Sequence, residues 1–320
     1  MIFGIYPGGV AGAENGLATG APERPEQVLA ALDELQGNQN VFAIRAYLAF
    51  TGDSGGVETG GTSAPEVLER YAAKGRKLDL VLCCWDERGD RESWLGFVRN
   101  SVRRFGPWLG SLQIGEEPNL YHYPGDGRFF PQIVTNVIEG VRAAKEESGR
   151  LGREIQVGFN AVPCLDPNDK FWTAFGAAIG PQFLEALDYV AFDFFPDVFR
   201  PIPLEELDAA VTHVLGSFRT QTLARAGIPR SVPLHIGEHG WPTGPDRSYD
   251  RQSEVIERVI RAIHRAAGEL NIHQYEHFAL RDADSSNPDL FHQFGLLRDD
   301  YSPKPAFETY RRLIEELNLA

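Results

Sequence analysis

The sequence predicts one closed (β/α)8 barrel spanning residues 1–320. Short, near-continuous apolar runs recur along the chain, and each is followed by a longer segment with apolar residues three and four apart. Eight such pairs can be counted, and no linker or low-complexity tract separates them. Unbroken apolar runs are what parallel strands covered on both faces require. Parallel neighbours need crossover helices, and eight units of this size close a barrel. A doubly wound open sheet is the alternative. It would usually place a phosphate-binding loop after the first strand, but YPGGVAGAENG (6–16) fits neither GxGxxG nor GxxxxGK[ST].

The expected strands are 2–7, 41–50, 78–86, 111–117, 155–162, 187–195, 232–241 and 273–280. The expected helices are 25–35, 63–75, 91–106, 129–149, 169–179, 204–227, 251–270 and 304–317. Each helix carries an apolar stripe at helical spacing. The second has a Ser63 start signal and a Gly75 stop signal. The glycine-rich piece TGDSGGVETGGTSAP (51–65) reads as a long loop after strand two.

Composition narrows the function. Hydrophobic residues at 42% and charged residues at 24% suit a globular protein with a sizeable core. A formal net charge of −14 argues against nucleic acid or an anionic membrane as partner. The N-terminus lacks a basic region and a long apolar stretch, so a cytoplasmic location is expected. Cys83, Cys84 and Cys164 form no disulfide or metal pattern and read as small core residues. His273 and His277 are four apart, but on a strand that separation is about 13 Å, so no metal site is expected. No cofactor is implied, and nothing sets the oligomeric state.

In a barrel of this type the chemistry sits at the C-terminal strand ends. Strand four ends in Glu116-Glu117-Pro118-Asn119, and strand seven in Gly237-Glu238-His239-Gly240-Trp241. These strands face each other across the barrel mouth, so their acids can converge on one cavity. Two converging carboxylates are what cleavage of a glycosidic bond needs. One protonates the leaving oxygen, and the other attacks the anomeric carbon or activates water.

These stretches resemble a known superfamily. GEEPNL is similar to the Asn-Glu-Pro acid/base motif of the clan A glycoside hydrolases, most of all to its family 39 form. GEHGWPT resembles the clan's nucleophile strand in its family 17 form. IRAY (44–47) is similar to the clan's strand-two arginine region, and FGLLRDDYSPKPAFETYRRLI to its final strand-to-helix segment. The resemblance runs the length of the chain. It implies a retaining hydrolase of a β-linked oligosaccharide or small-molecule glycoside, with Glu117 as acid/base and Glu238 as nucleophile. It implies Arg45 as the charge partner keeping Glu238 ionised. One departure stands out: Glu116 occupies the place of the clan's Asn. Strand six also ends Asp193-Phe194-Phe195-Pro196, without the clan's usual aromatic hydroxyl or imidazole. A non-catalytic sugar-binding barrel is the rival reading.

Further candidates follow from strand ends. Tyr6, Trp85, Phe195 and Trp241 are either sugar platforms or packing residues. Asn160 either binds a hydroxyl or caps a turn. His239 reads as a hydrogen-bond partner in the cavity and Glu276 as a ligand for a sugar hydroxyl.

Overall fold

The computed structural model describes the chain apart from residues 14–15, 53–56, 59–64, 88–89, 165 and 319–320. Its strands close a parallel barrel: β1 (Ile2–Ile5), β2 (Phe42–Phe50), β3 (Arg76–Cys84), β4 (Leu109–Ile114), β5 (Gln156–Ala161), β6 (Tyr189–Asp193), β7 (Leu234–His239) and β8 (Ile272–His277). Sequential strands are neighbours, and β1 pairs with both β8 and β2 to shut the ring. The unbroken apolar runs have the expected consequence. Every residue of β2 is buried, as is every residue of β6, because one face points into the barrel and the other meets the helix layer.

The covering helices are α1 (Pro25–Gln36), α2 (Pro65–Tyr71), α3 (Arg91–Phe105), α4 (Gln132–Arg150), α5 (Lys170–Ala178), α6 (Pro181–Ala186), α7 (Leu207–Ser217), α8 (Tyr249–Leu270) and α9 (Pro305–Asn318). Their ends follow capping chemistry. The side chains of Asp90, Asp169 and Ser248 accept from the N–H three residues on, at the starts of α3, α5 and α8. In α8 the buried stripe is Val255, Ile256, Val259, Ile260 and Ile263. Among the described residues no helix is long and apolar enough to cross a membrane.

Several elements differ from expectation. The glycine-rich stretch after β1 includes a small antiparallel pair, Ala11–Ala13 with Gly16–Ala18. The helix expected from 129 begins at Gln132, after a 3-10 turn over Asp126–Phe129. Pro131 disfavours helical geometry in the residue before it. The long helix expected over 204–227 is interrupted. A 3-10 turn (Leu204–Glu206) precedes α7, and a π-helical turn (Phe218–Leu223) follows it. In that wider turn Phe218 stacks on Phe192 at 4.1 Å. Arg219 there donates to the carbonyls of Val232 and Leu270, 2.9 Å each. Ser63 and most of the 51–65 loop lie outside the described residues. Cys83 and Cys84 are buried free thiols, as their apolar surroundings suggested.

Candidate active site

The site is organised around one buried guanidinium. Side chains on a strand alternate, so Arg45 and Tyr47 of β2 share the barrel's inner face. Arg45 Nη1 donates to Asp79 Oδ2 at 2.7 Å, Nη2 to Gln113 Oε1 at 3.1 Å, and Nε to the Tyr47 hydroxyl at 2.7 Å. Asp79 is the register partner of Arg45 on β3. It is bonded from the other side by the Ser111 hydroxyl of β4. Arg45 also lies 3.6 Å from Glu116, 3.7 Å from Asp193, and 3.5 Å from each of Glu238 and Glu276. One cation therefore faces several carboxyl groups in a water-poor space, where several negative charges cannot coexist cheaply. Burial accordingly holds Glu116 and Glu276 well above the carboxylate range. Burial, with Glu238 adding repulsion, lifts Asp193 to about 8.

The loop after β4 sets the first pair of acids. Gly115 has φ +81° and Glu117 φ +46°. The second value is strained for a side-chain-bearing residue by roughly 1–2 kcal/mol, and several bonds hold it. The Glu117 N–H donates to Asn160 Oδ1 at 2.7 Å. Asp126 Oδ2 accepts from the N–H groups of Glu116 (2.8 Å) and Cys84 (2.7 Å). Asn119 exchanges two bonds with the Val162 backbone. Glu116 turns toward Arg45: its Oε2 accepts from Gln113 at 2.8 Å and Asn160 at 3.2 Å. Glu117 has no such bonds: among the described residues no group hydrogen-bonds its carboxyl.

Glu238 arrives from β7. Its Oε1 accepts from the Tyr47 hydroxyl and faces Arg45 Nε. Gly237 permits this arrangement. A Cβ there would sit 2.6 Å from Asp193 Oδ1 and 3.3 Å from Arg45 Nη1. The two acids differ electrostatically. Burial pushes Glu117 well up, Glu238 and Asp193 push it further, and Arg45 opposes. Burial also raises Glu238, against Arg45 and the Tyr47 hydrogen bond. The expected depression of Glu238 by Arg45 is thus outweighed by desolvation, yet Glu238 alone of the two has bonded groups that favour its anion.

Glu116, Glu117, Asp193 and Glu238 open onto one cavity of about 1050 Å³. Tyr6, Trp85 and Phe195 line it, Tyr6 almost wholly buried. Other expected contacts do not reach its wall. Trp241 is buried behind it, where its Nε1 donates to the carbonyl and side chain of Asp197 at 3.2 Å. His239 follows Glu238 and by strand alternation points away; it bonds the Tyr275 hydroxyl at 2.6 Å, and burial lowers it to about 3, so it is neutral. Glu276 lies a layer deeper, against Arg45 and Gln274. Arg45 and Asn160 are likewise enclosed and act on the acids rather than on the cavity. Oxygens of Glu116, Asp193 and Glu238 lie within 4.8 Å of one another. An all-carboxylate set suits a hard cation, but Arg45 is already within 3.5–3.7 Å of all three.

No family model matches the chain, and no curated protein does. Solved structures do. A β-glucosidase from Exiguobacterium marinum is 14% identical, with a TM-score of 0.60, covering 98% of this chain and 97% of its own. A family 39 glycoside hydrolase from Bacteroides cellulosilyticus WH2 is 15% identical, with a TM-score of 0.61, covering 98% of this chain and 63% of that one. A β-glucuronidase from Ruminococcus gnavus is 12% identical, with a TM-score of 0.62, covering 98% of this chain and 49% of that one. The fold is the (β/α)8 barrel shared by these glycosidases. At such identities the likeness is one of fold.

Tyr47 and Phe278 were not among the candidates read from the sequence, nor were the supporting residues Asp79, Gln113 and Asp126. Tyr47 of β2 bonds Glu238 through its hydroxyl; its position two after Arg45 was the available signal. Phe278, directly after β8, lines the cavity and stacks on Tyr6 at 5.1 Å, 13° from parallel.

Proposed function

We propose that the chain is a retaining β-glycoside hydrolase in which Glu117 is the acid/base and Glu238 the nucleophile. The observation that carries this reading is the unlike setting of two acids on one cavity. Glu117 is buried, unbonded and pushed toward its protonated form; Glu238 is held by Tyr47 beside Arg45. A proton donor and an anion are the two roles that glycosidic cleavage divides between its carboxyls.

In the first step Glu238 Oε attacks the anomeric carbon while Glu117 gives its proton to the departing glycosidic oxygen. The C–O bond to the leaving group breaks and an ester to Glu238 forms. In the second step Glu117, now ionised, takes a proton from water, and that water's oxygen displaces Glu238 from the anomeric carbon. Tyr47 and Arg45 stabilise the carboxylate that leaves. The similar folds of a β-glucosidase, a family 39 glycoside hydrolase and a β-glucuronidase support a carbohydrate glycoside as substrate.

A panel of aryl β-glycosides tests the assignment. At least one should be turned over, and Glu238→Ala should lower kcat by at least ~10⁴-fold. Sugar binding without turnover by the unaltered protein would favour the non-catalytic barrel.

A further inference from the structure

Above the acids the cavity changes character. A chain of ring contacts climbs from its floor to its rim. Phe278, beside Tyr6, meets Phe195 at 6.2 Å and Phe294 at 5.7 Å. Phe195 meets Phe199 at 6.3 Å, and Phe199 meets Phe291 at 6.2 Å. Phe199 is 61% exposed. A ring exposed singly is ordinary, but this one is continuous with an apolar wall inside a cavity, which is the mark of a ligand-binding groove. These residues come from two separate loops, after β6 and after β8, yet form one wall.

Two polar side chains line the cavity at this wall, Asp197 and Arg200, and the first is already committed. Asp197 accepts from the Ile202 N–H at 2.7 Å, from Arg251 at 2.8 Å and from Trp241. A second sugar ring seated here would meet four phenylalanine rings and one guanidinium, so most of its hydroxyls would lie against carbon. A hydrophobic group would instead cover Phe199. The volume, about 1050 Å³, is at the upper end of the ~300–1,000 Å³ that encloses a drug-sized ligand, so it exceeds what a single sugar over the acids needs.

We infer that the substrate is an amphiphilic glycoside: one sugar over the acids and a bulky hydrophobic aglycone, aromatic or alkyl, against the wall of Phe195, Phe199, Phe291 and Phe294. This rests on the hydrolase reading for the bond cleaved, but the wall can be tested apart from it. After cleavage the aglycone leaves as its neutral alcohol, carrying the proton from Glu117.

The test has two arms. The first uses the neutral apolar fluorophore N-phenyl-1-naphthylamine, with no sugar attached. It should bind once per chain, and both Phe199→Ser and Phe291→Ser should weaken binding at least tenfold; Phe199 is exposed enough for its variant to fold. The second compares kcat/KM for methyl, hexyl and octyl glycosides and a disaccharide of whichever sugar the aryl panel selects. Values should rise about two- to fourfold per buried methylene, and Phe199→Ser should lower the octyl-to-methyl ratio of kcat/KM at least tenfold. No fluorophore binding, binding indifferent to both substitutions, or a disaccharide turned over better than the octyl glycoside would overturn the inference and leave the hydrolase reading standing. Fluorophore binding lost in both variants, with no glycoside cleaved, would support the apolar wall and defeat the hydrolase reading.

Discussion

The Tyr47 hydroxyl donates to Glu238 Oε1 while accepting from Arg45 Nε at 2.7 Å. Tyr47 thus transmits the guanidinium's charge to the carboxylate through one oxygen. Tyr47→Phe removes a donor to the anion and leaves the ring in place. Because that hydrogen bond lowers the Glu238 pKa, its loss should move the acidic limb of kcat/KM to higher pH. We expect kcat to fall ~10²-fold with KM within threefold, measured on the best aryl glycoside.

Asp193 repels charge on Glu117. Asp193→Asn removes that repulsion, so Glu117 should lose its proton more readily. The alkaline limb of kcat/KM, which reports the protonated acid, should move to lower pH. A limb unmoved or moved upward would contradict the assignment of Glu117 as the acid.

Arg45 is the cation shared by Asp79, Glu116, Asp193, Glu238 and Glu276. Arg45→Met would leave a buried acidic cluster without compensation. Removing one partner of a buried ionic network costs on the order of 3–5 kcal/mol. Thermal unfolding should show a large loss of Tm, smaller at acid pH, where the carboxyls are neutral.

Asp126 ties the β3 and β4 ends together, and burial raises it from 3.8 to about 7. The folded state therefore keeps a proton that the unfolded chain releases near pH 4. Its contribution is fully present below that pH and is lost as pH rises through about 7. Asp126→Asn keeps an acceptor for both N–H groups and cannot ionise. Its Tm should match the unaltered protein near pH 4.5 and exceed it by about 2–4 °C at pH 8.5.

The barrel was legible because burial on both faces imposes unbroken apolar runs, and because helices are needed between parallel strands. The acids were legible because Glu117 and Glu238 stand at strand ends, where a barrel presents its chemistry. Tyr47 was visible only as the residue two beyond Arg45, and period-two alternation does not say what a side chain meets across the barrel. Trp241 and Phe278 both follow strands. Which of them turns inward depends on loop paths: Trp241 is drawn outward by Asp197 and Arg247. The wall of Phe199 and Phe291 joins loops some ninety residues apart, a meeting that no local pattern encodes.

A 2-deoxy-2-fluoro β-glycoside with a good leaving group, followed by peptide mapping of the labelled protein, tests the central claim most directly. The account predicts one fluoro-sugar per chain, esterified to Glu238, with turnover lost in proportion. Labelling of Glu116 or Glu117 instead, or steady hydrolysis of the parent glycoside with no adduct formed, would contradict it.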